Sequence, residues 1–190
     1  MSLARYDLSL LHTFLWKNIL EKQTTLPPIS AEHFWHWSGK IYSEEGVAQA
    51  LLVWQNHFAG HVNGVLWLAY LDHQQRILGK EHFAAFDAVL NETFAQDVGP
   101  IRELRIKTNK NDANYAKYLQ AELSAEQRQQ KALVDLDLHI PLPHDGSAAD
   151  MLGDTFAYLH WHTEHYVSDE LKKAAYSHIS SMIKLLKRPV

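Results

Sequence analysis

Apolar residues recur at intervals of three and four along almost the whole chain, and this spacing restricts the possible folds more than any other feature. It is clearest in the stretch EEGVAQALLVWQNHF, where Val47, Leu51, Trp54 and Phe58 repeat at helical spacing. No stretch alternates convincingly between apolar and polar residues, and we find no internal repeat. Because this period matches one face of an α-helix, we predict an all-α fold: a single compact domain of roughly eight helices.

Capping residues and helix breakers predict where several helices begin and end. Ser30, Ser43 and Asn63 are predicted N-caps, because a short polar side chain can accept a hydrogen bond from a free amide of the first turn. Gly60 is predicted to stop the helix before it. Pro100 suits the first turn of the helix PIRELRIK, where its missing amide hydrogen costs nothing.

We treat residues 1–190 as one helical domain with two internal parts. Residues 31–131 form a helical core, and residues 149–190 form a C-terminal helical pair. The segment HIPLPHDGS, around Pro141, separates them. A further helix is predicted near the N-terminus from one apolar stripe: Leu8, Leu11, Leu15 and Ile19.

Charge and cysteine content exclude several classes of protein. The net charge of -4 gives no general attraction to nucleic acid or anionic membrane. The chain has no cysteine, which excludes disulfides and thiol catalysis. The longest apolar run, VLWLAYL, is far shorter than the roughly 20 residues that span a bilayer as a helix. The N-terminal MSLARYDLSLL lacks the features of a secretory signal, so we expect a soluble cytoplasmic protein.

The stretch FWHWSGKIYSEEGVAQALLVWQNHFAGHVNGVLWLAYL carries an ordered set of motifs. They are Phe34–Trp35, Ser38, Ile41–Tyr42, Gly46–Val47, Gln55–Asn56, Val62–Asn63 and Trp67. VGPIRELR and YLQAELSAEQRQQ continue the pattern, so that it covers His33 to Lys131. The chain resembles an uncharacterised family of proteobacterial proteins, one of the numbered domains of unknown function. The resemblance implies a bacterial protein with a helical fold, and it supplies no mechanism.

The chain departs from this family pattern at three positions. The family often has His and Asp where this chain has Phe58 and His61, and Asp where it has Asn56. No polar role at these positions can therefore be transferred to this chain.

The segment HWHTEH, which begins at His160, is the one motif typical of a metal site. At 100° per residue, His160 and Glu164 share one face of a helix, while His162 and His165 share another. Each face offers two ligands, whereas a structural zinc takes four. Remote ligands would have to come from other histidines: His139, His144 or His178. We therefore expect no metal site and no cofactor.

The sequence contains no nucleophile elbow, P-loop or dinucleotide-binding motif. Charges are unevenly placed: eight acidic residues and no Lys or Arg lie between Asp135 and Glu170, and five basic residues and no acid follow. Arg102 to Lys131 holds seven basic and four acidic residues. The mixture is more typical of a solvated helix than of an RNA-binding surface, so nucleic acid is not expected as a partner.

Three hypotheses for function follow. The leading one is a non-enzymatic helical protein that binds another macromolecule, with a protein partner preferred. The first alternative is a metal-dependent or acid/base enzyme that uses histidine and carboxylate groups of the C-terminal helices. The second is an RNA-associated factor that uses Arg102 to Lys131. Neither the identity of a partner nor the oligomeric state follows from the sequence.

The predicted partner-binding residues are Asp154, Tyr158, Trp161, His162 and His165. On a helical wheel they lie opposite a predicted core-facing stripe: Leu152, Phe156, Leu159 and Tyr166. Trp161 among polar groups has the composition of an interface hot spot. The neighbouring histidines, His162 and His165, would make binding depend on pH between about 5 and 8. Trp161→Ala should then reduce partner binding with little change in melting temperature. The alternative is that another element covers Trp161 and the substitution unfolds the protein.

Overall fold

The computed structural model describes residues 28–138, 140–141 and 153–187. It is all-α, as the periodicity predicts, with eight α-helical segments in the described residues. They are α1 (Ala31–Ser43), α2 (Val47–His57), α3 (Val62–His73), α4 (Phe83–Thr93), α5 (Gly99–Lys107), α6 (Ala113–Asp135), α7 (Gly153–Tyr166) and α8 (Asp169–Leu186). The predicted N-terminal helix and most of the proline-rich segment lie outside the described residues. No described helix combines the length and apolarity needed to cross a bilayer.

Two of the three predicted N-caps are wrong. Ser30 does cap α1, since its Oγ accepts a hydrogen bond of 3.0 Å from the amide of His33. Ser43 instead ends α1, and Gly46, with φ of 85°, precedes α2. Asn63 lies inside α3, because its side chain hydrogen-bonds to glutamines of α6 instead of a backbone amide.

The turn after α2 explains why glycine stands at position 60. The helix ends at His57, and Ala59 adopts the left-handed conformation with φ of 54°. Gly60 then donates a backbone hydrogen bond of 3.3 Å to the carbonyl of Trp54. A Cβ at Gly60 would lie 1.9 Å from Nε1 of Trp54. Gly60 therefore follows the helix end, as predicted, but the close approach of the indole ring requires it.

Helices α4 and α5 are joined without a loop by a π-helical turn, Phe94–Val98. The amide of Gly99 bonds to the carbonyl of Phe94, five residues earlier. Pro100 has no amide hydrogen and its ring would clash with the carbonyl four residues before it in an α-helix. The wider π turn accommodates the proline, so the predicted helix PIRELRIK continues an existing one.

Helix α3 is the centre of the fold, and every residue from Asn63 to Asp72 is buried. It contacts α1, α2, α6 and α7, while α8 packs against α2 and α7. Aromatic rings join α1 to α3: the ring centroids of Phe34 lie 4.9 Å from Trp67 and 5.3 Å from Tyr70. A two-residue antiparallel pair, Arg76–Ile77 (β1) with Ile140–Pro141 (β2), is also present, and the helical periodicity does not predict it.

Candidate functional site

Helix α7 turns a different face towards the core from the face predicted by its hydropathy pattern. Tyr158 and His162, expected on the outer side, are only 1% and 2% exposed. Phe156 and Tyr166, expected to face the core, are exposed. The prediction is wrong for these four residues because the buried tyrosine and histidine have polar partners inside the protein, which a helical wheel does not consider.

The polar partners hold α7 to the rest of the protein. The Asp154 carboxylate accepts a hydrogen bond of 2.7 Å from the backbone amide of Leu78. Nε2 of His162 lies 3.1 Å from the carbonyl oxygen of Phe58, at the end of α2. These two members of the predicted partner-binding set are therefore engaged in contacts within the chain.

A buried network surrounds Asp87 of α4. Its carboxylate accepts hydrogen bonds from the hydroxyl of Tyr158, at 2.7 Å, and from the side-chain amide of Asn91, at 2.8 Å. Asn91 also bonds to Nε2 of His61, at 2.9 Å. Burial alone would raise the pKa of Asp87, but the neighbouring His162 ring and the Tyr158 hydroxyl outweigh it and lower the pKa to about 2. Tyr158 and Asp87 satisfy each other inside the core, and the exposed Asn91 completes the network at the surface, so the network stabilises the contact between α7 and α4.

Trp161 and His165 reach the surface. Trp161 is partly buried, and its ring lies 5.8 Å from the ring of Tyr158 and 6.1 Å from that of Phe83. His165 is exposed, and its ring lies 4.5 Å from that of Trp161. The predicted row is therefore divided between the core and the surface, and partner binding through Trp161 and His165 stays a prediction.

The three histidines of HWHTEH lie in three different environments. His162 is buried, His165 is exposed, and the ring of His160 stacks on Tyr176 of α8 at 4.6 Å. Nε2 of His178 lies 2.8 Å from the carbonyl oxygen of Ala50. Within residues 28–138, 140–141 and 153–187, no three His, Asp or Glu side chains are grouped so that they could hold a metal ion. The other two histidines considered as remote ligands, His139 and His144, lie outside the described residues.

A cleft of about 710 Å³, which the sequence did not predict, opens among α1, α2, α3, α5 and α6. Its volume lies within the ~300–1,000 Å³ typical of ligand-binding sites. The apolar and aromatic part of its lining consists of Trp35, Tyr42, Leu52, Val62, Leu66, Leu119 and Leu123. Leu119 and Leu123 of α6 are 41% and 39% exposed, so they form an apolar rim that solvent still contacts.

Hydrogen-bonded side chains form the inner wall of the cleft. Asn63 donates to Oε1 of Gln129, at 2.8 Å, and accepts from Nε2 of Gln130, at 2.9 Å. Gln130 in turn bonds to the hydroxyl of Ser38, at 3.1 Å. These side chains are all buried and tie α1, α3 and α6 together. The cleft therefore has a wall whose shape is fixed by polar contacts.

Two arginines of α5 lie at the charged end of the cleft. Arg105 makes a two-point ion pair with Glu122, through Nε to Oε2 and through Nη2 to Oε1 at 3.1 Å. Arg102 donates from Nη1 to Oε1 of Gln55, at 2.8 Å, and the same nitrogen lies 4.0 Å from Glu122. Hydrogen bonding to Glu122 raises the pKa of Arg105. Glu122, although 4% exposed, is thus a fully compensated carboxylate.

Glu126, one helical turn after Glu122, has no hydrogen-bonded partner of this kind among the described residues, although the charges of Arg102 and Arg105 act to lower its pKa. Its side chain lines the cleft, is partly buried, and makes no hydrogen bond or close ion pair with any residue in the described part of the chain. Burial, followed by the nearby negative charge of Glu122, raises the pKa of its carboxyl group. Burial and the Glu126 charge likewise raise the pKa of Tyr42. The cleft thus exposes one unpaired carboxylate to whatever occupies it.

Sequence reasoning missed this cleft because its polar residues come from five helices. One local signal was present: Ser38 and Asn63 occupy positions with the spacing of core residues, where a polar side chain needs a buried partner. Glu122 and Glu126, spaced by four, also predict one shared face of α6. Which arginine compensates which carboxylate depends on the π turn between α4 and α5.

Comparison with known proteins places the cleft in a family context. A family model described as "Protein of unknown function (DUF2390)" matches residues 33–133. The described residues that line the cleft, from Trp35 to Gln130, lie within that range. No curated protein and no solved structure matched the chain. Since the family model covers more than half of the sequence, the chain belongs to the DUF2390 family of proteins of unknown function.

Proposed function

We propose that this chain is a non-enzymatic binding protein whose cleft takes a segment of a partner protein. The observation that supports the proposal is the apolar rim formed by Leu119 and Leu123 beside an apolar cleft. Exposed leucines next to a concave apolar surface gain free energy when a partner covers them. Grooves between helices commonly receive the apolar face of an amphipathic segment.

The two alternative functions have less support. The histidine and carboxylate groups of the C-terminal helices that an acid/base enzyme would use are divided between a satisfied core network and separate surface positions. Several basic side chains between Arg102 and Lys131 are engaged by acidic or amide groups, as in the bond of 2.7 Å between Arg128 and Asp97. The bacterial cytoplasm remains the expected setting, on the sequence expectations alone.

The proposal is tested by capture from a native lysate with matched leucine variants. Leu123→Glu places a charge on the rim of the cleft, and Leu171→Glu makes the same change at an exposed leucine of α8. Losing the burial of one leucine weakens binding by roughly 10- to 100-fold. We expect partners that are retained by the wild type and by Leu171→Glu, and lost with Leu123→Glu.

Two other outcomes would contradict the proposal. If both variants retain the same proteins as the wild type, the cleft is not the binding surface. If Leu171→Glu alone loses them, the binding surface lies near the start of α8 and not in the cleft. Circular dichroism and melting curves of all three proteins establish that the substitutions act on the surface only.

A further inference from the structure

The cleft contains a carboxylate, that of Glu126, to which no side chain in the described part of the chain hydrogen-bonds. Glu122 and Glu126 are one turn apart on α6 and both line the cleft. Arg105 occupies both oxygens of Glu122. Arg102 is held by Gln55 and lies 4.0 Å from Glu122. Glu126 makes no comparable bond with any residue of the described part of the chain.

We propose that Glu126 receives a lysine or arginine side chain of the partner segment that occupies the cleft. This inference rests on the proposed function and names the chemistry of its partner: an amphipathic segment with apolar residues and one basic residue. The apolar residues cover Leu119 and Leu123, and the basic group reaches past them to the carboxylate.

The energetic reason lies in the partial burial of Glu126. A carboxylate that has lost part of its hydration without gaining a hydrogen-bonded partner carries a cost. The charges of Arg102 and Arg105 offset only part of that cost, because the pKa of Glu126 is still raised. A cation that enters the cleft removes this cost, and a charge-assisted hydrogen bond in a partly buried site is stronger than one in water. An acidic group placed at this carboxylate would be repelled by Glu126, whereas the cations that line the cleft, Lys40, Arg102 and Arg105, lie at other positions of its wall.

The walls of the cleft suit a long basic side chain. Tyr42 lies close enough to Glu126 for the carboxylate to influence its pKa, and Trp35 lines the same cleft. Lysine and arginine carry a methylene stem that packs on aromatic and aliphatic surface while the charged end reaches a polar group. A small inorganic cation would leave these apolar walls uncovered.

The test uses a displayed library of random 12-residue peptides, selected on the full-length chain. We expect peptides with apolar residues and one Lys or Arg at a constant spacing, whose binding is lost with Leu123→Glu. Fluorescence anisotropy then measures the affinity of one such synthetic peptide for the wild type and for Glu126→Gln. Replacing the carboxylate by an amide should weaken binding about tenfold. Glu92→Gln, an exposed glutamate of α4, is the matched control and should bind as the wild type does.

A double-mutant cycle separates a direct contact from a general effect. Replacing the basic residue of the peptide by norleucine should weaken binding to the wild type about tenfold and have little effect on binding to Glu126→Gln. If peptides bind in a manner sensitive to Leu123→Glu but carry no basic residue, or bind Glu126→Gln equally well, the inference fails and the proposed function stands. If no selected peptide is sensitive to Leu123→Glu, both fail.

Discussion

The carboxylate of Asp72, at the end of α3, accepts hydrogen bonds from the start of α7. Its Oδ2 bonds to the amide of Thr155 at 3.0 Å and to the Thr155 hydroxyl at 2.5 Å, and its Oδ1 to the amide of Asp154 at 3.4 Å. Asp72 is 7% exposed. Burial outweighs these hydrogen bonds and raises the pKa of Asp72 from 3.8 to about 6.

This shift has a definite consequence for stability. Because the pKa in the folded state lies above that in the unfolded state, the folded protein binds the proton more tightly. The stabilising contribution is complete below a pH of about 3.8 and is lost as the pH rises through about 6. A difference of about two pKa units corresponds to about 3 kcal/mol at most, and to about 2 kcal/mol between pH 7.5 and pH 4.5.

We therefore predict that Asp72→Asn removes this pH dependence. Urea denaturation at the two pH values gives the free energy of unfolding of the wild type and the variant. Relative to the variant, the wild type should be about 2 kcal/mol more stable at pH 4.5 than it is at pH 7.5. Ser180→Ala is an exposed substitution that removes no titrating group, so its free energy of unfolding should differ from that of the wild type by the same amount at both pH values. An Asp72→Asn difference that is the same at both pH values would refute the argument that burial governs this carboxyl group.

Four further predictions follow from the described contacts. Tyr158→Phe should lower the free energy of unfolding by about 1–3 kcal/mol in urea, because Asp87 loses a buried hydrogen-bond donor; an unchanged midpoint would contradict this. Gly60→Ala should lower it by about 1–3 kcal/mol, since the new methyl group would overlap Trp54, and an unchanged melting curve would show that the turn yields at no cost. Trp161→Ala should lower the free energy of unfolding measurably in urea, but by less than the ~3–5 kcal/mol that a fully buried tryptophan costs, because its ring packs on the core and is partly exposed. Protein purified without a histidine tag should carry no stoichiometric transition metal, and about one zinc or iron per chain in elemental analysis would overturn this expectation.

Much of the fold followed from the sequence. The spacing of Val47, Leu51 and Trp54 predicts a helix with one buried face, and all three residues are buried in α2. The boundaries were less accurate, as at Asn63, where a residue suited to capping a helix lies inside it. Capping propensity describes only the local backbone. The same side chain can instead form buried hydrogen bonds with residues of a distant helix, as Asn63 does with Gln129 and Gln130.

The candidate site followed from the sequence only in part. The family motifs cover the helices that line the cleft, whereas the predicted partner-binding residues lie on α7. A wheel of α7 ranks Tyr158 and His162 as polar and therefore outward. The expected outward orientation of these two residues is wrong because Asp87 and the carbonyl of Phe58 provide buried partners that are 71 and 104 residues distant in sequence.

The sequence alone determined the helical class and the family, because both depend on residues that are close together in the chain. Only the tertiary structure decided which charged side chains form a hydrogen-bonded ion pair within the described part of the chain and which do not. Glu122 and Glu126 stand four apart on one helix and are indistinguishable in sequence, yet Arg105 pairs with the first and no described residue with the second. The π turn before Pro100 directs α5 against α6, and the energy of a partly buried charge depends on such distances between groups from different helices.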